Sequence, residues 1–381
     1  MKKIAKLSLV AAVAVAGLTN VNAASLEEAI KGVDVSGQFR FRAQDMSDKV
    51  NGTTRSSANN GTDVEIEVGV KVPVTDTVTA VFKIDNANDD TDGSTKANVN
   101  IEDYYFSYAQ DALTVNFGQQ NIPGRITDGA QGDGIVALYN LGSVTLGGAA
   151  FMTNSLGNPT TVTTYGATSA ANTTATTNGL GAKDVYSVIA MGNVGPVSLL
   201  GQYATVPDVL DTFNVKADAS IEMIKLGVEY TESELDSEYS STNQDDRETL
   251  KAYVSGKMGI VSAKLTYAKT GDNGSGSLDN QANTNVETPS EYLLWNVGTA
   301  TRKDFDVIAL DASVSLTDKI SLRAAYAAGE QGNGSNNDVN ETLGQISYKV
   351  AKNLNTYVRY ADVEDQGTDY TRGRVEVKYS F

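Results

Sequence analysis

The residues best spaced for chemistry in this chain are carboxylates. In "NDDTDG", Asn88, Asp90 and Asp92 stand at alternate positions ahead of Gly93, the arrangement of the first half of a calcium loop. An EF-hand loop needs a bidentate Glu at its twelfth position, where this chain has Val99, so the motif is not completed. The stretch is then either a looser surface Ca2+ site or an acidic exposed loop. "DGAQGDG" mimics a glycine-rich phosphate loop, but no G-K-[ST] and no helix start follow it. The chain has no Cys and no His, which removes thiol chemistry, the Ser-His-Asp triad, the H-E-x-x-H zinc site and the imidazole general base. No catalytic residue and no required cofactor are expected.

The other charged residues alternate with apolar ones. In "VDVSGQFRFR", Val33, Val35, Phe39 and Phe41 fall on one face, with Asp34, Gln38, Arg40 and Arg42 on the other. In "DVEIEVGVKV", Val64, Ile66, Val68, Val70 and Val72 oppose Glu65, Glu67 and Lys71, and "TVTAVFKID" places Lys83 in the same way. This period of two continues to the closing "RGRVEVKYSF". It gives about eighteen strands, at roughly 20 residues of chain per strand, although sixteen would also fit.

The connections sort by length. Tight turns stand at "PVTD", "QDA", "NLG", "NVGP", "KMG", "TDK" and "AKN", while the intervening stretches, such as Gln119 to Asp133 and Gly271 to Arg302, are mostly long and polar. Short turns at one end and long loops at the other are the signature of an outer-membrane barrel. Lipid cannot satisfy open strand edges, so such strands must close on themselves, with one face to lipid and the charged face to a water-filled lumen. Tyrosines near strand ends, among them Tyr104, Tyr267, Tyr326 and Tyr379, suit the interfacial girdles.

The bulk numbers agree. Residues 1–23 read as an export signal: Lys2, Lys3 and Lys6, then an apolar run, then Val21-Asn22-Ala23 at the cleavage site. The barrel is expected over 24–381. No later stretch has the ~18 consecutive apolar residues of a spanning helix. Removing the signal changes the formal charge from −17 to −20, a balance that repels nucleic acid and attracts cations.

"LEEAIKGVDVSGQFRFR", "VNFGQQNIPGRITDGAQGDGIVALYN" and a last strand ending in Phe381 resemble the major outer membrane porins of Campylobacter and related bacteria. The resemblance implies a homotrimeric, weakly cation-selective, general-diffusion porin for small hydrophilic solutes and ions, set in outer-membrane lipid and lipopolysaccharide. It further implies a third loop folded inward, its charges facing those of the wall. Arg125, Asp128 and Asp133 are the candidates on the loop; Arg40, Arg42, Lys71 and Lys83, with Glu65 and Glu67 among them, are the candidates on the wall. Phe381 is expected to be the handle for the barrel-assembly machinery. Arg372, Arg374 and Lys378, offset by Glu376, are either part of the wall cluster or charge balance in the lumen. The alternative function is a non-conducting surface barrel, adhesive or structural.

Overall fold

The computed structural model describes residues 32–50, 53–56, 61–86, 99–127, 129–156, 183–235, 246–275, 293–299, 302–332 and 338–381. The export segment, the calcium candidates Asn88, Asp90 and Asp92, and Asp128 lie outside the described residues.

Nineteen strands are formed among the described residues, and no helix. They are β1 (Asp34–Val50), β2 (Thr53–Ser56), β3 (Gly61–Pro73), β4 (Val78–Asn86), β5 (Val99–Gln110), β6 (Leu113–Asn121) and β7 (Gln131–Asn140). There follow β8 (Val144–Asn154), β9 (Val185–Val194), β10 (Val197–Val206), β11 (Leu210–Ile221), β12 (Ile224–Leu235) and β13 (Asp246–Met258). The chain finishes with β14 (Val261–Thr270), β15 (Phe305–Ser315), β16 (Ile320–Gln331), β17 (Asp338–Ala351), β18 (Leu354–Asp365) and β19 (Thr368–Ser380).

From β3 to β19 each strand pairs antiparallel with the next in sequence, and β1 pairs with β19 to close the ring. β2 pairs only with the far end of β1, and β3 takes the place beside β1, so the closed barrel has eighteen staves. Closure leaves no open edge, which is what a lipid-immersed sheet requires. Strands about 4.8 Å apart, tilted by about 40°, make a ring about 35 Å across, too wide for side chains alone to fill.

The alternation assigns the faces. On β1, Val35, Phe39 and Phe41 are exposed outward, while Arg40 and Arg42 are only partly exposed within. On β19, Val375, Val377 and Tyr379 are exposed, as is Phe381 just beyond it, and Glu376 among them is buried. Tyr108, Tyr139, Tyr348 and Tyr379 sit toward the turn end, whereas Tyr203, Tyr230, Tyr267 and Tyr326 sit toward the loop end. The hydroxyls of this second group donate to Asp211, to Glu232 and Glu248, to Asp306 and to Asn340. Each ring thus stays on the apolar band while its hydroxyl joins a polar rim.

Closure is tightest at Gly37. Its N–H donates to the Phe381 carbonyl at 3.0 Å, and its carbonyl accepts from the Phe381 N–H at 3.1 Å. A Cβ at residue 37 would stand 2.2 Å from the Glu67 carbonyl oxygen and 2.8 Å from the Phe381 ring. Gly37→Ala is therefore expected to destabilise the barrel by about 1–3 kcal/mol, the usual cost of overpacking. A lower temperature for the heat-induced mobility shift on detergent gels would show it.

The buried apolar residues form no central core. They make patches on the inner wall, one on β7–β11 around Phe151, Val185 and Val206, the others on β14–β18 around Phe305, Val307 and Leu343. Apolar patches inside a watery lumen need a cover. Two connections supply it.

Candidate functional site: the pore constriction

The first cover is the connection from β6 to β7. The loop is shorter than the expected Gln119 to Asp133, because β6 runs to Asn121, β7 starts at Gln131, and Gln119 and Asp133 are themselves strand partners. Ile122 donates through its N–H to the Ala130 carbonyl at 2.8 Å, closing the loop at its neck. Ile122 and Ile126 then bury against Phe151, Val185, Ala204, Val206 and Leu210.

Polar anchors fix the loop as well. Gln202 on β10 accepts from the Arg125 N–H at 2.8 Å and donates to the Pro123 carbonyl at 2.8 Å. Between them Gly124 has φ +105°, and a Cβ there would collide with the Gln202 amide. Glycine is required on both counts.

The Arg125 guanidinium is bidentate on Glu229 of β12, at 2.6 and 2.9 Å. Lys251 of β13 lies 3.3 Å from the same carboxylate, and Asn214 donates to it at 3.1 Å. Glu229 is 2 % exposed, so this is a desolvated two-cation, one-anion group. Removing one partner from such a group is far more disruptive than its net contribution to stability suggests.

Asp133, placed by sequence on the loop, stands instead on β7 with the outward parity of Ile135 and Tyr139. It accepts from the Thr153 hydroxyl at 3.0 Å and does not join Arg125. The pleat decides this: Val136 packs inward with the loop, so residues of odd number on β7 face outward.

The basic wall is where parity puts it. β12 and β1 lie eight strand steps apart around the eighteen-stave ring, so Glu229 and Arg40 stand on roughly opposite sides. Arg40 pairs with Glu65, while Arg42 pairs with Glu376 at 2.7 Å and lies 3.8 Å from Asp63. Lys83 bridges Glu67 and Glu102, both at 2.8 Å. Lys71 shares the inward parity but stands at the turn end, opposite Asp34 in register and below the other candidates.

Arg374, Arg359 and Arg323 are neighbours in one register row across β19, β18, β17 and β16, with Gln345 between the last two and Gln44 of β1 at the other end. Arg359 donates to Gln345 at 2.7 Å, Arg374 to Gln44 at 3.0 Å, and Arg323 to Asp311 at 2.7 Å. Arg372 joins Arg374 on the Gln44 side-chain oxygen, at 3.2 Å. Arg359 and Arg323 were missed, although their place opposite Val358 and Leu322 in the alternation marks them as lumen residues.

The second cover was also missed. Residues 293–299, from the long connection between β14 and β15, lie against the inner wall of β15–β19 and bury Trp295, Val297 and Thr299. Three consecutive N–H groups, of Trp295, Asn296 and Val297, donate to the Glu341 carboxylate on β17, the last two at 2.8 and 2.9 Å. The guanidinium carbons of Arg359, Arg372 and Arg374 lie 5.0, 4.7 and 5.1 Å from the Trp295 ring centroid. The sequence did carry a signal: "YLLWNV" puts four large apolar residues and the chain's one Trp into a polar loop.

Two inward segments, one fixed by Glu229 on β12 and the other by Glu341 on β17 five strand steps away, narrow the lumen between them. Arginines with carboxylate and amide partners line the gap. Such a gap can sort hydrated solutes by size and charge.

A family model described as Campylobacter major outer membrane protein matches residues 1–381. No curated protein matches the chain. Among solved structures, the outer membrane protein opdK of Pseudomonas aeruginosa superposes with a TM-score of 0.66 at 12% identity, covering 91% of this chain and 98% of its own. A BenF-like porin from Pseudomonas fluorescens Pf-5 gives 0.65 at 11%, covering 92% and 99%. OccAB4 of Acinetobacter baumannii gives 0.65 at 11%, covering 91% and 98%. At such identities the likeness establishes the closed outer-membrane barrel fold.

Proposed function

The chain belongs to the Campylobacter major outer membrane protein family, and on that premise we propose that this outer-membrane porin is a general-diffusion channel for small hydrophilic solutes and ions with a weak preference for cations. The observation that carries the proposal is the pair of charged inner walls facing each other across the gap between the two inward segments. Solutes cross down their gradients with no chemical step, oriented by the fields of the two walls.

The cation preference rests on the net charge of −20 expected without the export segment, much of it on the loops and the outer rim, where it concentrates cations at the mouth. It stays weak because the narrow part is rich in arginine. The wall group that meets permeating ions comprises Arg40, Arg42, Lys83, Glu65 and Glu67, with Arg125 on the loop side. A homotrimer surrounded by outer-membrane lipid and lipopolysaccharide, delivered by the barrel-assembly machinery, completes the proposal.

Reversal potential in a tenfold KCl gradient tests it. A perfectly cation-selective pore would give about 59 mV, and a clear minority of that, with the sign of potassium permeation, is expected. A potential of the opposite sign would overturn the charge assignment. Absence of any conductance would favour the adhesive or structural barrel.

A further inference from the structure

Glu341 is fully buried on the lumen side of β17, and every hydrogen bond it accepts among the described residues comes from residues 293–299. Besides the three backbone N–H groups, the Asn296 side-chain amide donates to it at 2.9 Å. Converging N–H groups form a cradle for an anion, and here the wall supplies the anion. The segment is also folded on itself, the Leu293 N–H donating to the Val297 carbonyl at 2.8 Å, so it docks as a preformed unit.

Its other hold is the tryptophan. The Trp295 ring lies against Arg359, Arg372 and Arg374, and Arg372 donates to the Asn296 side-chain oxygen at 3.0 Å. Cation–π contacts of this kind gain strength as the cations lose water, so the ring both borrows from these guanidinium groups and screens them from the lumen.

We propose that Glu341 is a positioning residue for permeation: it latches residues 293–299 to the wall, and the latched Trp295 sets both the solute size limit and the access of anions to the three arginines beneath it. The proposal rests on the diffusion-channel assignment for its permeation half only. Docking of the segment is independent of conductance, and the chain's single Trp reports it directly.

The test uses the full-length protein folded in detergent and then placed in planar bilayers. Glu341→Gln keeps the shape but loses the charge and one acceptor. Its Trp295 emission should shift to the red and be quenched more steeply by iodide. Its single-channel conductance should rise, larger sugars should pass in liposome swelling, and the reversal potential should move toward anions. Glu341→Asp should fall between Gln and the parent. Trp295→Ala changes no wall strand; it should raise conductance and move the reversal potential the same way even if Glu341→Gln fails to assemble.

Emission, quenching and conductance of Glu341→Gln equal to the parent would overturn the latch. A red shift with unchanged conductance and reversal potential would overturn its control of permeation, and so would a Trp295→Ala channel indistinguishable from the parent. If no channel, parent included, conducts while the emission shift occurs, the diffusion-channel assignment fails and the latch stands.

Discussion

Glu229→Ala is expected to give a channel that visits a higher-conducting level far more often than the parent. The substitution leaves the Arg125 guanidinium and the Lys251 ammonium facing each other without the carboxylate that both contact. Breaking a buried ion pair from one side costs about 3–5 kcal/mol. At 3 kcal/mol the displaced population of the loop grows by a factor of about 100.

The loop is not expected to leave altogether. Ile126 remains fully buried on the wall, and its side chain alone retains about 1.5–3 kcal/mol of burial. Gln202 still holds the Arg125 N–H and the Pro123 carbonyl. Transient openings are therefore the expected record, rather than a uniformly wider pore. Arg125→Ala makes a useful partner, because it removes the loop's cation and leaves Glu229 with Lys251. Its channel should be steadier than that of Glu229→Ala and should tip toward cations, since one positive charge has left the gap. Single-channel traces of the two variants and of the double variant form a cycle. A Glu229→Ala trace with the parent's level and no added transitions would show that apolar packing alone fixes the loop.

Most of the barrel was legible because lipid and water impose a one-dimensional code. A strand between the two must alternate, and each of the eighteen alternating segments, from "VDVSGQFRFR" to "RGRVEVKYSF", falls on one of the eighteen staves. The face assignments of Arg40, Arg42, Glu376 and the row from Val375 to Phe381 follow from the same parity. Loops carry no such period. Asp133 was misplaced because "QGDGIV" has glycines where apolar residues would have extended β7 visibly, so the strand start was read three residues too late. Glu229 and Glu341 could be read as lumen residues, yet their partners stand 104 and about 45 positions away in sequence, and no local pattern links them. Burial of residues 293–299 depends on apolar patches assembled from five successive strands, β14 to β18. That information is absent from any single segment.

The second large effect is expected at the C-terminus: loss of Phe381 should sharply lower the amount of folded protein in the outer membrane while leaving unit conductance unchanged. Two physical roles compete for this residue. Its backbone exchanges two hydrogen bonds with Gly37 at the seam, and its ring, 40 % exposed on the outward face, stacks on Tyr379 at 5.9 Å. Two hydrogen bonds contribute about 2 kcal/mol net, a small share of a seam in which β1 and β19 are paired from Gln38 and Ser380 through Lys49 and Asp369. Seam energy therefore does not account for a severe defect, whereas an aromatic ring exposed on the outward face would be available to a receptor during assembly. Phe381→Ala separates the roles, because it keeps the backbone pair and removes the ring. If the ring is the handle, Phe381→Ala should assemble as poorly as the deletion, and Phe381→Tyr should restore most of the yield. If the seam were the cause, Phe381→Ala would assemble like the parent and only the deletion would fail. Outer-membrane yield, the heat-induced mobility shift and single-channel conductance, measured on all three variants, distinguish the two. The conductance of whatever does assemble should match the parent throughout, since Phe381 faces away from the lumen.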